Sequence, residues 1–320
     1  MRRAAALGVL GVLALAPLAA SPYVLLIFTA ALALGLFALS YDLVLGVTGL
    51  ISVSHATLFG VGAYGMAVSM TKLGLAFWPS ALVGVVAAMG LAWVIGFFSV
   101  RTSGPGFIIM TVIFAHALEH IANVWTSLTG GENGIMLGVS RITVVPGLDV
   151  RLSAGSRSAY GAIVVCLVVS LVGCRALVRS PFGLVLRGIR GNEQRALALG
   201  YRVSRYKVFV NIVAGGLAAI AGILYALSQG FVSVDLLRVL LSVEVIVWTI
   251  VGGPGTLLGP VLAAVLMSLG IEYLRALTQH YVFAVGLVTL LVVLFLPQGL
   301  GGLVDRALGE PAKARIRPAE

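Results

Sequence analysis

Apolar residues fall in long, nearly unbroken runs, parted at intervals by short clusters of Gly, Pro, Ser and charge. A helix crossing a hydrocarbon core needs about 20 such residues. Runs that approach this length lie near 4–20, 23–46, 49–71, 78–99, 105–126, 158–178, 207–228, 239–252, 256–275 and 281–297. The pattern predicts an all-α, polytopic integral membrane protein with about ten (8–10) transmembrane helices. The run at 239–252 is short for a full crossing, so a broken or tilted segment is expected there. A closed β-barrel would alternate in polarity at every second residue, and the continuous runs argue against it.

Composition agrees with this pattern. Hydrophobic residues make up 60% of the chain and charged residues 10%, whereas soluble domains carry about 25% charged residues. Such a chain cannot cover itself with a polar surface, and lipid must be its solvent. The formal charge of +10 matters chiefly through its placement, because cytoplasmic loops collect Lys and Arg. Threaded with the N-terminus inside, the ten runs put fifteen Lys and Arg inside and six outside. Both termini are therefore expected to be cytoplasmic. The first residues, MRRAAALGVLGVLALAPLAASP, have the form of a signal peptide and equally of a first span. A retained span is preferred, since a polytopic chain needs no cleavable signal. Cys166 and Cys174 share one run, about 12 Å apart along a helix axis, too far for a disulfide.

Two Gly-rich interruptions stand out, LGVTGLISVSHATLFGVGAYG (45–65) and VGGPGTLLGPVLAAVLM (251–267). Broken backbone at membrane depth is tolerated where protein or a water-lined cavity satisfies the freed polar groups. In transporters, interrupted segments in both halves point to the translocation pathway. Close packing of helices through small residues is the alternative for any single glycine. Taken as clusters, they nominate Gly49, Ser52, Ser54, His55, Gly60, Gly252, Gly253 and Gly255 as pathway candidates. Asp42 and Glu244, ionisable and inside predicted spans, join them.

The sharpest local motif is His116-Ala-Leu-Glu119-His120, an H-x-x-E-H pattern. On a helix His116, Glu119, His120 and Asn123 share one face. The pair of histidines admits an intramembrane zinc peptidase as an alternative class, but catalytic zinc needs a third protein ligand. None is convincingly placed, and five residues in 320 are a weak match. The plainer reading is a polar stripe lining a vestibule, with no metal or other cofactor. No P-loop occurs, and no acid or nucleophile elbow accompanies Ser54-His55.

The stretch SPFGLVLRGIRGNEQRALALGYRVSRYK (180–207) is the longest basic segment within the apolar chain. Ser180-Pro181 is a helix start, and Phe182, Val185, Leu186 and Ile189 recur at helical spacing. Asn192 can cap a second short helix that begins with Glu193, and Gly200 is suited to end it. Ser204 is placed to cap the next span. An apolar face on a cytoplasmic loop must be buried by the protein's own spans, by anionic lipid or by a partner groove, and the partner is the better account of a folded segment.

Together with LVLGVTGLISVSHATLFGVGAYG (43–65), WTSLTGGENGI (125–135), AGGLAAIAGILYA (214–226), VGGPGTLLGPVLAAVL (251–266) and LFLPQGLGGL (294–303), this stretch resembles the permease subunits of bacterial ABC importers for branched-chain amino acids, the M-type more than the H-type. The resemblance covers about residues 38–303. It implies the ABC importer permease fold, in the inner (plasma) membrane, paired with a sister H-type permease. It further implies two cytoplasmic ATPase subunits and an extracytoplasmic solute-binding protein. Gly183, Arg187, Arg190, Asn192, Glu193, Ala196 and Gly200 match the segment that docks on the ATPase. The chain departs from the family pattern at Asp42, where an amide is expected, and at His116 and Glu119. Relatives moving urea or short amides share these blocks, so such a solute is an alternative, and a self-sufficient secondary carrier is another. The expected organisation is an N-terminal portion (1–37) and one transmembrane domain (38–303). That domain contains an extracytoplasmic loop (127–157) and a cytoplasmic coupling loop (179–206). A disordered cytoplasmic tail (304–320) follows.

Overall fold

In the computed structural model the residues described are 21–102, 104–138, 143–145, 148–151, 156–277, 283, 286 and 287. The runs expected at 4–20 and, for the most part, 281–297 lie outside them, as does the tail. The long helices are α1 (Pro22–Asp42), α2 (His55–Thr71), α3 (Phe77–Ser99) and α4 (Pro105–Val124). A short α5 (Thr126–Thr129) opens the first long loop, followed by α6 (Arg157–Arg179). Next come α7 (Pro181–Gly191), α8 (Glu193–Ala198), α9 (Val203–Gln229), α10 (Val239–Gly252) and α11 (Leu258–Leu277). Among the described residues six segments are long and apolar enough to cross a membrane, namely Pro22–Val47, Phe77–Ser99, Pro105–Val124, Arg157–Arg179, Val203–Gln229 and Leu258–Arg275. α10 is apolar but shorter, and α2 has 17 residues.

Two helices form the centre. In the most apolar window of Pro22–Val47, 61% of residues are buried, and 56% in that of α9, against 22–28% in the other four spans. α9 packs on α1, α2 and α3, while α6, α10 and α11 flank α1. The peripheral helices turn Trp78, Val86, Trp93, Ile109, Ile113, Val165 and Val169 outward, as lipid or partner spans require. Small residues allow the central approach. A Cβ on Gly222 of α9 would fall on the carbonyl of Phe59 in α2, and Gly62 of α2 meets Ala219 of α9 backbone to side chain.

The all-α expectation needs one correction. Among the described residues four short strands occur, β1 (Ile135–Met136), β2 (Thr143–Val145), β3 (Leu148–Arg151) and β4 (Phe231–Val232). β1 pairs antiparallel with β4, and β2 with β3. The glycines at 130, 131 and 134 all take positive φ and turn the chain out of helix, leaving backbone groups that the strand pairs satisfy. Span boundaries also shift. The run read at 49–71 becomes a helix only from His55, and α1 continues into a π-turn over Leu43–Val47. Cys166 and Cys174 are free thiols.

Candidate functional site

The unwound stretch between the π-turn and α2 leaves backbone N–H groups that helical bonding does not serve. Side chains from three other elements serve them. Ser52 N–H donates to the Tyr41 hydroxyl (3.2 Å), Val53 N–H to Thr111 Oγ1 (3.1 Å) and Ala56 N–H to Ser242 Oγ (2.9 Å). Ser52 and Ser54 hydroxyls lie 3.2 Å apart. His55 is wholly buried, with Nε2 2.9 Å from Ser40 Oγ and the ring stacked on Phe37 and edge-on to Tyr41. Its Nδ1 has no hydrogen-bond partner.

The second interruption lies between α10 and α11. Gly253 and Gly255 take φ of 92° and 91°, and Leu257 has a φ of 63°, the one positive-φ residue other than glycine among those described. Asp42, at the end of α1, accepts from Gly255 N–H at 2.7 Å and Leu257 N–H at 3.0 Å. The two breaks are thus tied together by one buried carboxylate. Gly49 sits beneath the Arg190 side chain, Gly60 against Leu236 and Leu237, and Gly252 against Gly259. Glu244 is half-buried on α10.

The His116 group is separate from this junction. His116 and His120 are exposed, while Glu119 and Asn123 are half-buried on the same helix. Glu119 faces His116 Nδ1 at 3.5 Å and Arg238 at 4.0 Å, and Arg238 also pairs with Asp235 at 2.9 Å. Lys72 donates to the Ser127 carbonyl. Among the described residues no three His, Cys, Asp or Glu gather for a metal ion. Glu119 is engaged by a guanidinium, and His55 by Ser40.

In the basic segment the local caps form as the residues dictate. Ser180 Oγ accepts from Gly183 N–H at 3.4 Å and Asn192 Oδ1 from Arg195 N–H at 2.8 Å, and Gly200 takes φ 86°. Ser204 does not cap α9; the cap position falls two residues earlier, at Arg202, and Val203 in the first turn is buried. The segment has two faces. Gly183, Leu186, Ile189 and Ala196 are buried against the chain's own helices, whereas Leu184, Leu197 and Leu199 are 54–71% exposed. Arg187 turns back to the Val178 carbonyl and Arg190 to the Gly46 carbonyl. Glu193 pairs with Lys207 of α9 at 2.6 Å. Tyr41, Thr111, Ser242 and Lys207 are the contributors that sequence reasoning missed; the nearest signal was a polar residue isolated in each apolar run.

The Glu193–Lys207 pair predicts an unequal outcome on substitution. The Lys207 side chain is 5% exposed and that of Glu193 42%. Glu193→Gln strands a buried ammonium and is expected to cost about 3 kcal/mol. Lys207→Met leaves a carboxylate that water reaches, at a cost of about 1 kcal/mol or less. Thermal unfolding of the purified subunit in detergent measures the difference.

Long lipid-compatible helices, two interrupted segments joined at the core and a folded basic segment beside them constitute the architecture of a multi-pass membrane permease. The chain belongs to the family described as branched-chain amino acid transport system / permease component, whose model matches residues 23–296. It is 29% identical over 281 residues to the high-affinity branched-chain amino acid transport system permease protein LivM of Salmonella typhimurium, and 28% identical over 280 residues to LivM of Escherichia coli. Each alignment covers 82% of this chain and 66% of the relative, so the chain spans just under two thirds of their length. The permease protein BraD of Pseudomonas aeruginosa is 24% identical over 303 residues, covering 83% of this chain and 91% of that protein. No solved structure matches the chain.

Proposed function

We propose that this chain is the M-type membrane-spanning subunit of an ATP-driven importer, moving branched-chain amino acids inward by alternating access. The observation that carries the proposal is the family match over 23–296, together with a folded segment whose leucines at 184, 197 and 199 are exposed among the described residues. Energy comes from two separate ATPase subunits docked on 180–200, and the permease itself performs no phosphoryl chemistry. The second half of the membrane pathway is a sister H-type subunit, a pairing supported by similarity to proteins named LivH as well as LivM. A solute-binding protein delivers substrate to the outer end, where Glu119, Arg238, Asp235 and Lys72 form a charged rim. In this reading the whole chain makes about ten spans in the inner membrane, with both termini cytoplasmic, and residues 38–303 are a single transmembrane domain. Ser52, Ser54 and His55 in the first break and Gly253 in the second border the pathway.

Reconstitution of the subunit in proteoliposomes with the sister permease, both ATPases and the binding protein tests the proposal. Uptake of labelled leucine, isoleucine or valine should require ATP and this subunit together. Uptake of urea or short amides alone would assign the alternative solute class. Uptake by the subunit without any ATPase would make it a secondary carrier.

A further inference from the structure

The sequence nominates Asp42 for the solute pathway and Arg190 for contact with the ATPase. Both instead point into one internal junction. Arg190 leaves α7 over Gly49 and donates to the carbonyl of Gly46, in the π-turn that ends α1. A Cβ on Gly46 would collide with Asp42 Oδ1 and with the backbone nitrogen of Gly255, and one on Gly255 would meet the Arg190 guanidinium at 3.2 Å. Three elements are therefore in direct contact: the basic segment, the first interruption and the second. Asp42 spends both carboxylate oxygens on the second, on the N–H groups of Gly255 and Leu257. It is fully buried.

Leu257 gives the junction its mechanical content. A branched side chain at φ 63° is strained, and such backbone persists only where its surroundings over-determine it. Here the determinant is Asp42, which holds the Leu257 N–H at 3.0 Å while the side chain is buried. Arg190 and Asp42 thus both adjoin Gly46, the first at its carbonyl and the second beside its Cα. Discontinuous segments of this sort are the parts that rearrange in alternating access.

We propose that Arg190, Gly46, Asp42 and Leu257 form a transmission junction, in which Asp42 and Arg190 are positioning residues linking the ATPase-coupling segment to both broken spans. The proposal rests on the transport reading above for what drives it, though the junction itself is a feature of the subunit alone.

Two measurements test it. Hydrogen exchange on the purified subunit reads peptides covering 43–50 and 252–258. Arg190→Ala and Asp42→Asn should each raise exchange in both peptides by about tenfold, although Arg190 belongs to neither. Arg190→Lys, which keeps a donor for the Gly46 carbonyl, should restore most of the protection. No change in the second peptide for Arg190→Ala would overturn the junction.

In the reconstituted five-subunit importer, solute moved per ATP hydrolysed should fall about tenfold or more in both variants, with Arg190→Lys close to wild type. A raised KM for the solute at an unchanged ratio would return Asp42 to the pathway and overturn its positioning role. Altered exchange with an unchanged ratio would reduce the junction to a static brace, which also overturns the proposal. Should the wild-type assembly import none of the solutes, the transport reading fails on its own. The junction is then decided by whether trapping the ATPases with ATP alters exchange at 252–258 in wild type and not in Arg190→Ala, the same response in both overturning it.

Discussion

Replacing Leu197 and Leu199 together by aspartate is expected to abolish both ATPase retention and solute uptake while leaving the subunit inserted in the membrane. These side chains are 54% and 71% exposed among the described residues. Burying a leucine stabilises an interface by about 1.5–3 kcal/mol. Losing two, before the added cost of desolvating carboxylates, weakens docking by about 10²–10⁴-fold. Leu186→Asp, on the opposite face, should behave differently, because Leu186 is 1% exposed inside the core. It should lower the amount of folded subunit before any docking is measured. Co-purification of the ATPases, normalised to inserted permease, separates the two outcomes. Retention at wild-type level in the double variant would remove 180–200 from the docking surface.

The second large effect is expected at the central helix crossing. Gly222→Leu places side-chain atoms where α9 meets the Phe59 carbonyl of α2. The obstacle is backbone, so it cannot yield by changing rotamer, and the helices must part. Overpacking costs about 1–3 kcal/mol where side chains can adjust, and the upper end or beyond is expected here. Gly173→Leu on α6 is the matched control, since nothing lies within 4 Å of a Cβ there. It should change stability by about 0.5 kcal/mol or less. Unfolding temperatures in detergent, with membrane yield, compare the pair; equal behaviour would mean that α2 and α9 do not approach as described.

What the sequence made legible follows the range of the forces involved. Spans were readable because an apolar run of sufficient length has one cheap solution in lipid, a helix; α3 and α6 match their expected limits to within a residue or so. The caps at Ser180 and Asn192 were readable because donor and acceptor lie three residues apart. The interruption within 45–65 was flagged by its glycines, but its bounds at Thr48 and Ser54 were not legible, since Leu50, Ile51 and Val53 continue the apolar run. Tyr41 and Thr111 take N–H groups of that stretch, and Ser242 takes that of Ala56 in the first turn of α2 from 186 positions away in the chain. Asp42 was noticed as an ionisable residue in a span, but its partners are 213 and 215 positions distant. No local pattern reports such a bond. The β1–β4 pair escaped for the same reason, being two residues long on each side and remote in sequence.

The two-sided construction of the basic segment has an evolutionary corollary. Leu186, Ile189 and Ala196 fix how the segment sits on its own protein, and Leu184, Leu197 and Leu199 take no part in that seating. On the proposed docking of an ATPase at 180–200, substitutions on the outer set would alter which motor is accepted without disturbing the subunit's own assembly. Duplicated importers would then diverge into insulated pairs by drift on three exposed positions, while the inward set stays constrained by folding.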